Sequence, residues 1–307
     1  MEILGKSYSY VKRLGILLVT IALITMMEGC IFGPSSQGIE IRTWYDLDNI
    51  RNDMSSDYIL MNDLDSSTNG YNELAGPTAN EGKGWHPIIG PGGDPPFTGI
   101  FNGQGYEIRD LSINLPSKWY VGLFSVVGEE GHILNVGLVN VDVTGAAYIG
   151  GLVGGNGGTV SNSYSTGNVI CTYMAGGLIG MNTGTVSDSY SRSNVTSETG
   201  ASGLAGQNNG TISNSYSTGS VTGDNYPGGL VGYNEGTVSG SFWDIETSGQ
   251  ATSAGGTGKT TAEMQHVTTF LEAGWNIIGV ANPGALDLSY TWNIVNEQTY
   301  PFLSWES

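Results

Sequence analysis

Apolar and hydroxyl side chains alternate along short segments of this chain, and these segments return every 26 residues. In the segment Thr159–Ser165, Val160 and Tyr164 fall on one side of an extended chain, whereas the Ser and Thr side chains fall on the other. A period of two is typical of a half-buried strand. Equivalent segments begin at Thr185, Thr211 and Thr237. A repeat of this length with strand-type residues predicts a solenoid with one coil per repeat.

A Gly-Leu-Xaa-Gly motif precedes each of these segments, and a third short strand pattern follows at Asn168–Ile170. Asn-Gly corners separate the strands, because both residues tolerate the positive φ that sharp turns need. Three strands per coil predict an all-β fold, a parallel right-handed β-helix whose equivalent residues stack about 4.8 Å apart. We expect six or seven coils with two internal ladders. The ladders comprise Leu152, Leu178, Leu204 and Leu230, and Tyr164, Tyr190, Tyr216 and Phe242.

The column at position 162 has two interpretations. Alternation places it on the inward face, where stacked amides could hydrogen-bond along the axis. A bend that turns it to solvent is favoured, because an unpaired buried carboxylate at Asp188 would be costly. The members are Asn162, Asp188, Asn214 and Gly240. Two serine rows are expected to face outward, either as a hydroxyl surface for glycans or as solvated strand faces. They are Ser161, Ser187, Ser213 and Ser239, and Ser163, Ser189, Ser215 and Ser241.

Residues 121–252 hold the repeats, and both flanks are predicted to be caps, because an open solenoid exposes unpaired strand edges. Residues 41–120 are assigned to an N-terminal cap with irregular first coils, where Thr43 begins a short helical pattern. Residues 253–307 are assigned to a C-terminal cap. There, Thr260 and Glu263 have the spacing of a capping box, and a helix and an aromatic segment follow.

The N-terminal segment is typical of an export signal. Residues 1–29 carry Lys and Arg before an apolar run that is too short for a confident membrane span. Gly29-Cys30 resembles a lipobox, so Cys30 is predicted to be lipidated and residues 30–40 to form a linker. An ordinary export signal, or a retained anchor at residues 14–27, is the alternative. We expect export in either case, and the predicted location is the extracellular face of the cell envelope, with the protein anchored to the membrane.

The Gly-Leu-Xaa-Gly copies, the Ser-Tyr-Ser-Thr-Gly stretches at 163–169 and 215–221, and the aromatic end at 300–305 resemble the GLUG-motif repeat family. This resemblance implies a surface β-helix of the adhesin-like kind. The motif also accompanies immunoglobulin A peptidases. Their activity is not implied here, because the zinc-peptidase signature His-Glu-x-x-His is absent and His86, His132 and His266 lie far apart.

Composition excludes some partners. The net charge of −18 opposes nucleic-acid binding. Cys171, the second of two cysteines, belongs to no ladder or metal pattern, and no cofactor is predicted. Asn194 and Asn209 match the glycosylation acceptor pattern. Surface glycans, neighbouring cells or envelope proteins are the expected partners of a chain that we expect to be monomeric.

Four acids are candidates for chemistry. Asp63 and Asp65 alternate as in a calcium loop, but the glycine expected at the sixth position and the acid at the twelfth are missing, so a polar exit from a strand into a loop is favoured. Glu198 and Asp224 occupy equivalent positions in neighbouring coils. They could be the two carboxylates that a glycosidase places in one groove. The favoured explanation is a corner where both side chains are simply exposed to solvent. The favoured function is therefore a non-catalytic surface scaffold or adhesin-like module. The alternative is a carbohydrate-active enzyme, a polysaccharide lyase or glycosidase, on the same fold.

Overall fold

Three parallel sheets stack along the repeats and form a β-solenoid of about five turns in the computed structural model, which confirms the predicted fold class. The structure describes residues 38–89 and 95–306, so the predicted signal peptide and Cys30 lie outside the described residues. The turns are fewer than the six or seven expected. The first sheet continues N-terminally of the repeats, because Ile39–Ile41, Tyr58–Leu60 and Ile100–Asn102 pair there in succession.

The first sheet comprises Ile39–Ile41, Tyr58–Leu60, Ile100–Asn102, His132–Leu134, Thr159–Ser161, Thr185–Ser187, Thr211–Ser213 and Thr237–Ser239. The second comprises Glu107–Arg109, Ser112–Asn114, Trp119–Val121, Gly137–Thr144, Ala147–Ile149, Tyr164–Gly176, Tyr190–Ser191, Asn194–Ser202, Tyr216–Ser217, Val221–Thr222, Phe242–Asp244 and Thr257–Lys259. The third comprises Phe124–Val127, Val153–Asn156, Ile179–Asn182, Ala205–Asn208 and Val231–Asn234. In all three sheets the central repeats pair with a shift of 26 residues, as in Thr159 with Thr185.

The lumen of the solenoid is lined by aliphatic columns and one amide ladder. The four leucines of the Gly-Leu-Xaa-Gly motif are fully buried in one continuous core. Beside them, Asn156 donates from Nδ2 to Oδ1 of Asn182 at 2.8 Å, Asn182 to Asn208 at 2.8 Å, and Asn208 to Asn234 at 2.7 Å. Each of these three amide donors thereby finds an acceptor in the next coil, and only Oδ1 of Asn156, at the first rung, has no partner within the described residues.

The column at position 162 is a bend, and it reverses the alternation that follows it. Asn162, Asp188, Asn214 and Gly240 all have φ between 46° and 52°. The row that begins at Ser163 therefore points inward, which corrects the outward prediction, and the Ser163 hydroxyl donates to the carbonyl of Ser161 at 2.8 Å. Only the row that begins at Ser161 stays partly exposed.

The same bend carries the aromatic ladder out of the lumen. Tyr164 stacks on Tyr190 with ring centroids 4.7 Å apart, and Tyr190 stacks on Tyr216 at 4.9 Å. These rings form a second core with the C-terminal cap, separate from the leucines, so the ladder exists but is not internal as predicted. Val160 and Tyr164 consequently lie in different cores, although simple alternation placed them on one face.

Both flanks carry short helices. They span Trp44–Asp48, Asn49–Asn52 (3-10), Tyr71–Leu74, Ala79–Gly82, Ile245–Ser248, Thr261–Met264 and Val267–Glu272. Capping boxes start two of them, one formed by Thr43 with Asp46 and the other by Thr260 with Glu263. A sheet of three strands, Ile277–Gly279, Trp292–Ile294 and Phe302–Leu303, completes the cap over the tyrosines.

The last glycine of the Gly-Leu-Xaa-Gly motif is required by a close approach of backbones. Near the end of the second sheet, each coil has a residue with positive φ in one column: Tyr120, Tyr148, Met174, Gly200 and Tyr226. A Cβ on Gly154 would lie 2.3 Å from the carbonyl carbon of Tyr120, and a Cβ on Gly180 would lie 2.2 Å from that of Tyr148. No side chain fits at such distances. The last glycine of the motif is therefore required because the third sheet packs closely against this column.

We predict that Gly180→Ala destabilises the fold by about 1–3 kcal/mol or more, because the new methyl group meets backbone that cannot rotate away. The midpoint of chemical unfolding measures this loss. The matched control is Gly279→Ala, where nothing lies within 4 Å of the added Cβ. Equal midpoints for the two variants would contradict the close-approach explanation of the motif.

A polar cluster lies where the C-terminal cap meets the tyrosine ladder. Tyr190 donates its hydroxyl proton to Oε2 of Glu306 at 2.7 Å, and Nη2 of Arg192 donates to the Tyr216 hydroxyl at 3.0 Å. Burial raises the pKa of Glu306 to about 7, while Arg192 and the hydrogen bonds to the carboxylate oppose the rise. The folded protein therefore holds the Glu306 proton more tightly than the unfolded chain does, since the ordinary pKa is 4.5.

We predict that Glu306→Gln removes a pH-dependent part of the stability. The folded pKa is raised, so the contribution of protonated Glu306 is complete below pH 4.5 and is lost as the pH rises through about 7. The melting temperature of the wild type, minus that of Glu306→Gln, should fall over this window. Glu272→Gln, on an exposed helix end, is the control and should show a constant difference. A constant difference for Glu306→Gln as well would contradict the raised pKa.

Candidate functional site

Four aromatic side chains gather on the outer surface near the end of the second sheet, where the chain turns toward the third. Trp119, Tyr120, Tyr148 and Tyr173 come from three successive coils, because Ala147 pairs with Trp119 on one side and Tyr173 on the other. We call this set the aromatic ridge. Its members touch side by side along the solenoid axis, so they form one continuous surface.

The ridge combines stacked and edge-on rings. Tyr120 stacks on Tyr148 with centroids 5.1 Å apart and planes 14° apart. Trp119 meets Tyr148 edge-on at 6.2 Å, and Tyr173 meets it edge-on at 5.9 Å from the other side. Trp119 is 64% exposed and Tyr173 is 42% exposed. A contiguous patch of exposed rings marks an interaction surface more often than a scattered apolar residue does.

Two ridge residues occupy a backbone conformation that disfavours them. Tyr120 has φ 55° and Tyr148 has φ 58°, in the left-handed region that costs a residue with a side chain about 1–2 kcal/mol. Gly200 holds the equivalent place two coils after Tyr148, without that cost. Strain at a bulky side chain is an observation from which a functional role can be inferred, because folding alone is served better by glycine.

The Tyr148 phenol remains protonated at neutral pH. Burial raises the pKa of Tyr148 above its ordinary value of 10, and the neighbouring Tyr173 and Tyr120 raise it further. Tyr148 can therefore donate a hydrogen bond as well as present a ring face.

A groove of about 420 Å³ opens at the N-terminal end of the ridge. Trp119 and Tyr120 form one wall, and Arg51, His86 and Lys118 contribute to its lining. Arg51 is held in place, because its guanidinium donates to Asp48 at 2.7 Å and to the carbonyl oxygens of Pro87 and His86. Burial lowers the pKa of His86, and the positive charges of Arg51, Lys83 and Lys118 lower it further. The lining of the groove thus includes two cationic side chains, Arg51 and Lys118, in a chain of net charge −18.

The structure places Glu198 and Asp224 on the same corner as the ridge, farther along the axis. They directly precede Thr199 and Asn225, which pair between neighbouring coils, and Asn225 N–H donates to the Glu198 carbonyl at 3.2 Å. Both side chains are exposed to solvent. Neither belongs to the lining of the groove beside Trp119. Glu198 and Asp224 are thus neighbours in successive coils, as the repeat predicts. They do not face each other across this groove, as the two carboxylates of a glycosidase would.

Asp63 and Asp65 hold local structure. Asp63 Oδ1 accepts from the Glu107 N–H at 2.9 Å, and its other oxygen lies 3.9 Å from Nε of Arg109. Asp65 Oδ1 accepts from the amide of Ser67 at 2.8 Å and from its hydroxyl at 2.7 Å, and these bonds lower the pKa of Asp65. Over residues 38–89 and 95–306, no group of three or more His, Cys, Asp or Glu side chains could hold a metal ion.

The remaining sequence candidates lie apart from the ridge or are buried. Asn194 and Asn209 are exposed, and Asn209 Nδ2 donates to Glu235 at 2.8 Å. Cys171 is buried, and burial raises the pKa of its thiol to about 11, so the thiol is not reactive at neutral pH. Cys30 lies outside the described residues.

The sequence analysis did not identify the ridge. Its members belong to two neighbouring columns, and the Trp119-to-Ala147 interval is 28 residues, not 26. The signal that could have revealed it is the set of bulky aromatics at Trp119-Tyr120, Tyr148 and Tyr173, each just before a Gly-rich corner. The next two coils have Thr199-Gly200 and Asn225-Tyr226 at these places.

Comparisons with known proteins agree with the repeat. The family model for the GLUG motif matches residues 145–170, so the chain carries this motif, as its resemblance indicates. A segment is 38% identical over 135 residues to halomucin of Haloquadratum walsbyi, covering 43% of this chain and 1% of halomucin. Another is 37% identical over 127 residues to a candidate Gly-rich membrane protein of Evansella cellulosilytica, covering 40% of this chain and 14% of that protein. The chain thus matches a small part of each relative.

A solved structure shares the architecture. A candidate immunoglobulin A1 protease from Bacteroides ovatus superposes with a TM-score of 0.64 and 19% identity, over 90% of this chain and 94% of that one. Identity at this level shows a common fold and not a common activity. None of the helices in the described part of the chain has the length and apolarity that a membrane crossing requires.

Proposed function

We propose that this chain is a cell-surface, adhesin-like binding module that presents the aromatic ridge to glycans and does not catalyse a reaction. The observation that carries the proposal is the row of exposed, touching rings at Trp119, Tyr120, Tyr148 and Tyr173. The C–H faces of a pyranose ring are apolar, so they pack against an aromatic face while the sugar hydroxyls meet the phenols and water. A ridge along the axis suits an extended chain of sugars.

The relatives support a surface location. One is named as a membrane protein and another as a halomucin, and neither name is that of an enzyme. The solvent exposure of Glu198 and Asp224 supports binding over hydrolysis, because a glycosidase holds its two carboxylates in one groove around the scissile bond.

We predict that Trp119→Ala and Tyr148→Ala each weaken glycan binding by about threefold to tenfold, because each removes a ring face from the ridge. A glycan array identifies a ligand, and calorimetry with that ligand measures the affinities. Tyr106→Ala is the control, because Tyr106 is 38% exposed and lies outside the ridge. Binding that no ridge variant weakens would contradict the proposal, as would an array without any binding. Release of new reducing ends or unsaturated products from a polysaccharide would favour the enzymatic alternative.

We further propose that the module is tethered to the cell envelope through a lipid on Cys30. Replacing Cys30 by Ser should release the protein into the medium or leave it unprocessed, because a thioether-linked lipid needs the thiol. Membrane fractionation and the mass of the mature chain report the change, and Cys171→Ser is the matched control. If Cys30→Ser leaves both unchanged, an ordinary anchor at residues 14–27 is the better explanation.

A further inference from the structure

The charge along the ridge corner changes sign from one end to the other. The residue that precedes the ridge column in each coil is Lys118, then Ala146, Thr172, Glu198 and Asp224. Coils are spaced about 4.8 Å apart, so Lys118 lies roughly 14 Å from the Glu198 position and roughly 19 Å from the Asp224 position along the axis. A ligand lying on the rings therefore meets a cation at one end and two carboxylates at the other.

The positive end has donors to offer a ligand. In the described part of the chain, neither the Lys118 ammonium nor the His86 ring makes a hydrogen bond, whereas each of the three guanidinium nitrogens of Arg51 already donates one. Lys118 is exposed beside Trp119, the most exposed ring of the ridge. An ammonium and an imidazole at the mouth of an aromatic groove form a suitable receptor for a carboxylate or sulfate group.

We propose that the groove binds the terminal anionic sugar, carboxylated or sulfated, of a short glycan whose neutral sugars lie along the aromatic ridge. The proposal rests on the glycan binding proposed above and adds the direction in which the glycan lies, with its charged end in the groove. Lys118 and His86 contact the anionic group, Trp119 packs against the ring that carries it, and Tyr148 and Tyr173 support the next sugars. Glu198 and Asp224 select against a polymer that is anionic along its whole length, because their charges would face its later residues.

Four probes test this with the full chain. The first is a neutral trisaccharide. The second is that trisaccharide with its terminal sugar replaced by glucuronic acid, and the third carries a sulfate on the terminal sugar. The fourth is polygalacturonate. We expect both terminally charged trisaccharides to bind more tightly than the neutral one, and polygalacturonate to bind more weakly than either. Added salt should reduce the advantage of the charged probes, because their contact is electrostatic and partly exposed.

Lys118→Gln should weaken binding of the terminally charged probes by about threefold to tenfold and leave the neutral probe unchanged. Lys259→Gln is the matched control, because it alters the net charge equally and lies in the last strand of the second sheet, beside Glu263. The double variant Glu198→Gln and Asp224→Asn should increase the affinity for polygalacturonate without altering that for the neutral trisaccharide.

The outcomes separate this inference from the proposed function. Suppose that Trp119→Ala weakens binding of the neutral trisaccharide, but the charged trisaccharides bind no more tightly than the neutral one. The ridge then binds glycans, and the proposed site for an anionic terminal sugar is wrong. Equal losses in Lys118→Gln and Lys259→Gln would also overturn the assignment to the groove. Tighter binding of polygalacturonate than of the singly charged probes would refute selection by the acidic end. No binding of any probe, together with a blank array, would overturn both proposals.

Discussion

Parallel pairing of each coil with the next, in a register of 26 residues, is the constraint from which the other features follow. Because every residue lies above its equivalent about 4.8 Å away, a side chain must be compatible with copies of itself. Leucines satisfy this by packing, buried asparagines by donating to the next amide, and tyrosines by stacking at 4.7 and 4.9 Å. Stacked charged side chains would repel one another in the lumen and would be costly to bury. Charged residues therefore lie at the corners and in the caps.

The register, the leucine column and the helix starts could be derived from the sequence, since each depends on residues that recur or on local capping chemistry. Thr43 and Thr260 begin helices because their hydroxyls accept from the amide three residues later, which is visible in the spacing alone. The direction of the Ser163 and Tyr164 side chains could not be derived by alternation, because one residue of positive φ at Asn162 changes the side on which the next residues point.

The C-terminal cap shows why that reversal matters. An outward tyrosine ladder would leave a long apolar strip in solvent, and the cap covers it with Trp275, Trp292 and the strand at Phe302–Leu303. The cap is therefore part of the core, since it shields rings that the repeats themselves leave uncovered. The Tyr216 hydroxyl donates to the Pro301 carbonyl at 2.5 Å and the Tyr190 hydroxyl to Glu306 at 2.7 Å, so the cap also supplies acceptors for two hydroxyls of the ladder.

The aromatic ridge differs from the tyrosine ladder because its rings are exposed, and this difference supports the proposal that it binds a ligand. Both aromatic rows are produced by stacking, and both lie outside the lumen, but only the ladder beginning at Tyr164 is covered by another part of the described chain. The ridge is left open, although Tyr120 and Tyr148 stand in a conformation that favours glycine and although Gly200 shows that the column accepts glycine. Exposed rings reduce solubility, and a left-handed backbone at a residue with a side chain reduces stability. Residues kept at such a cost to the fold are best explained by what they contact outside it.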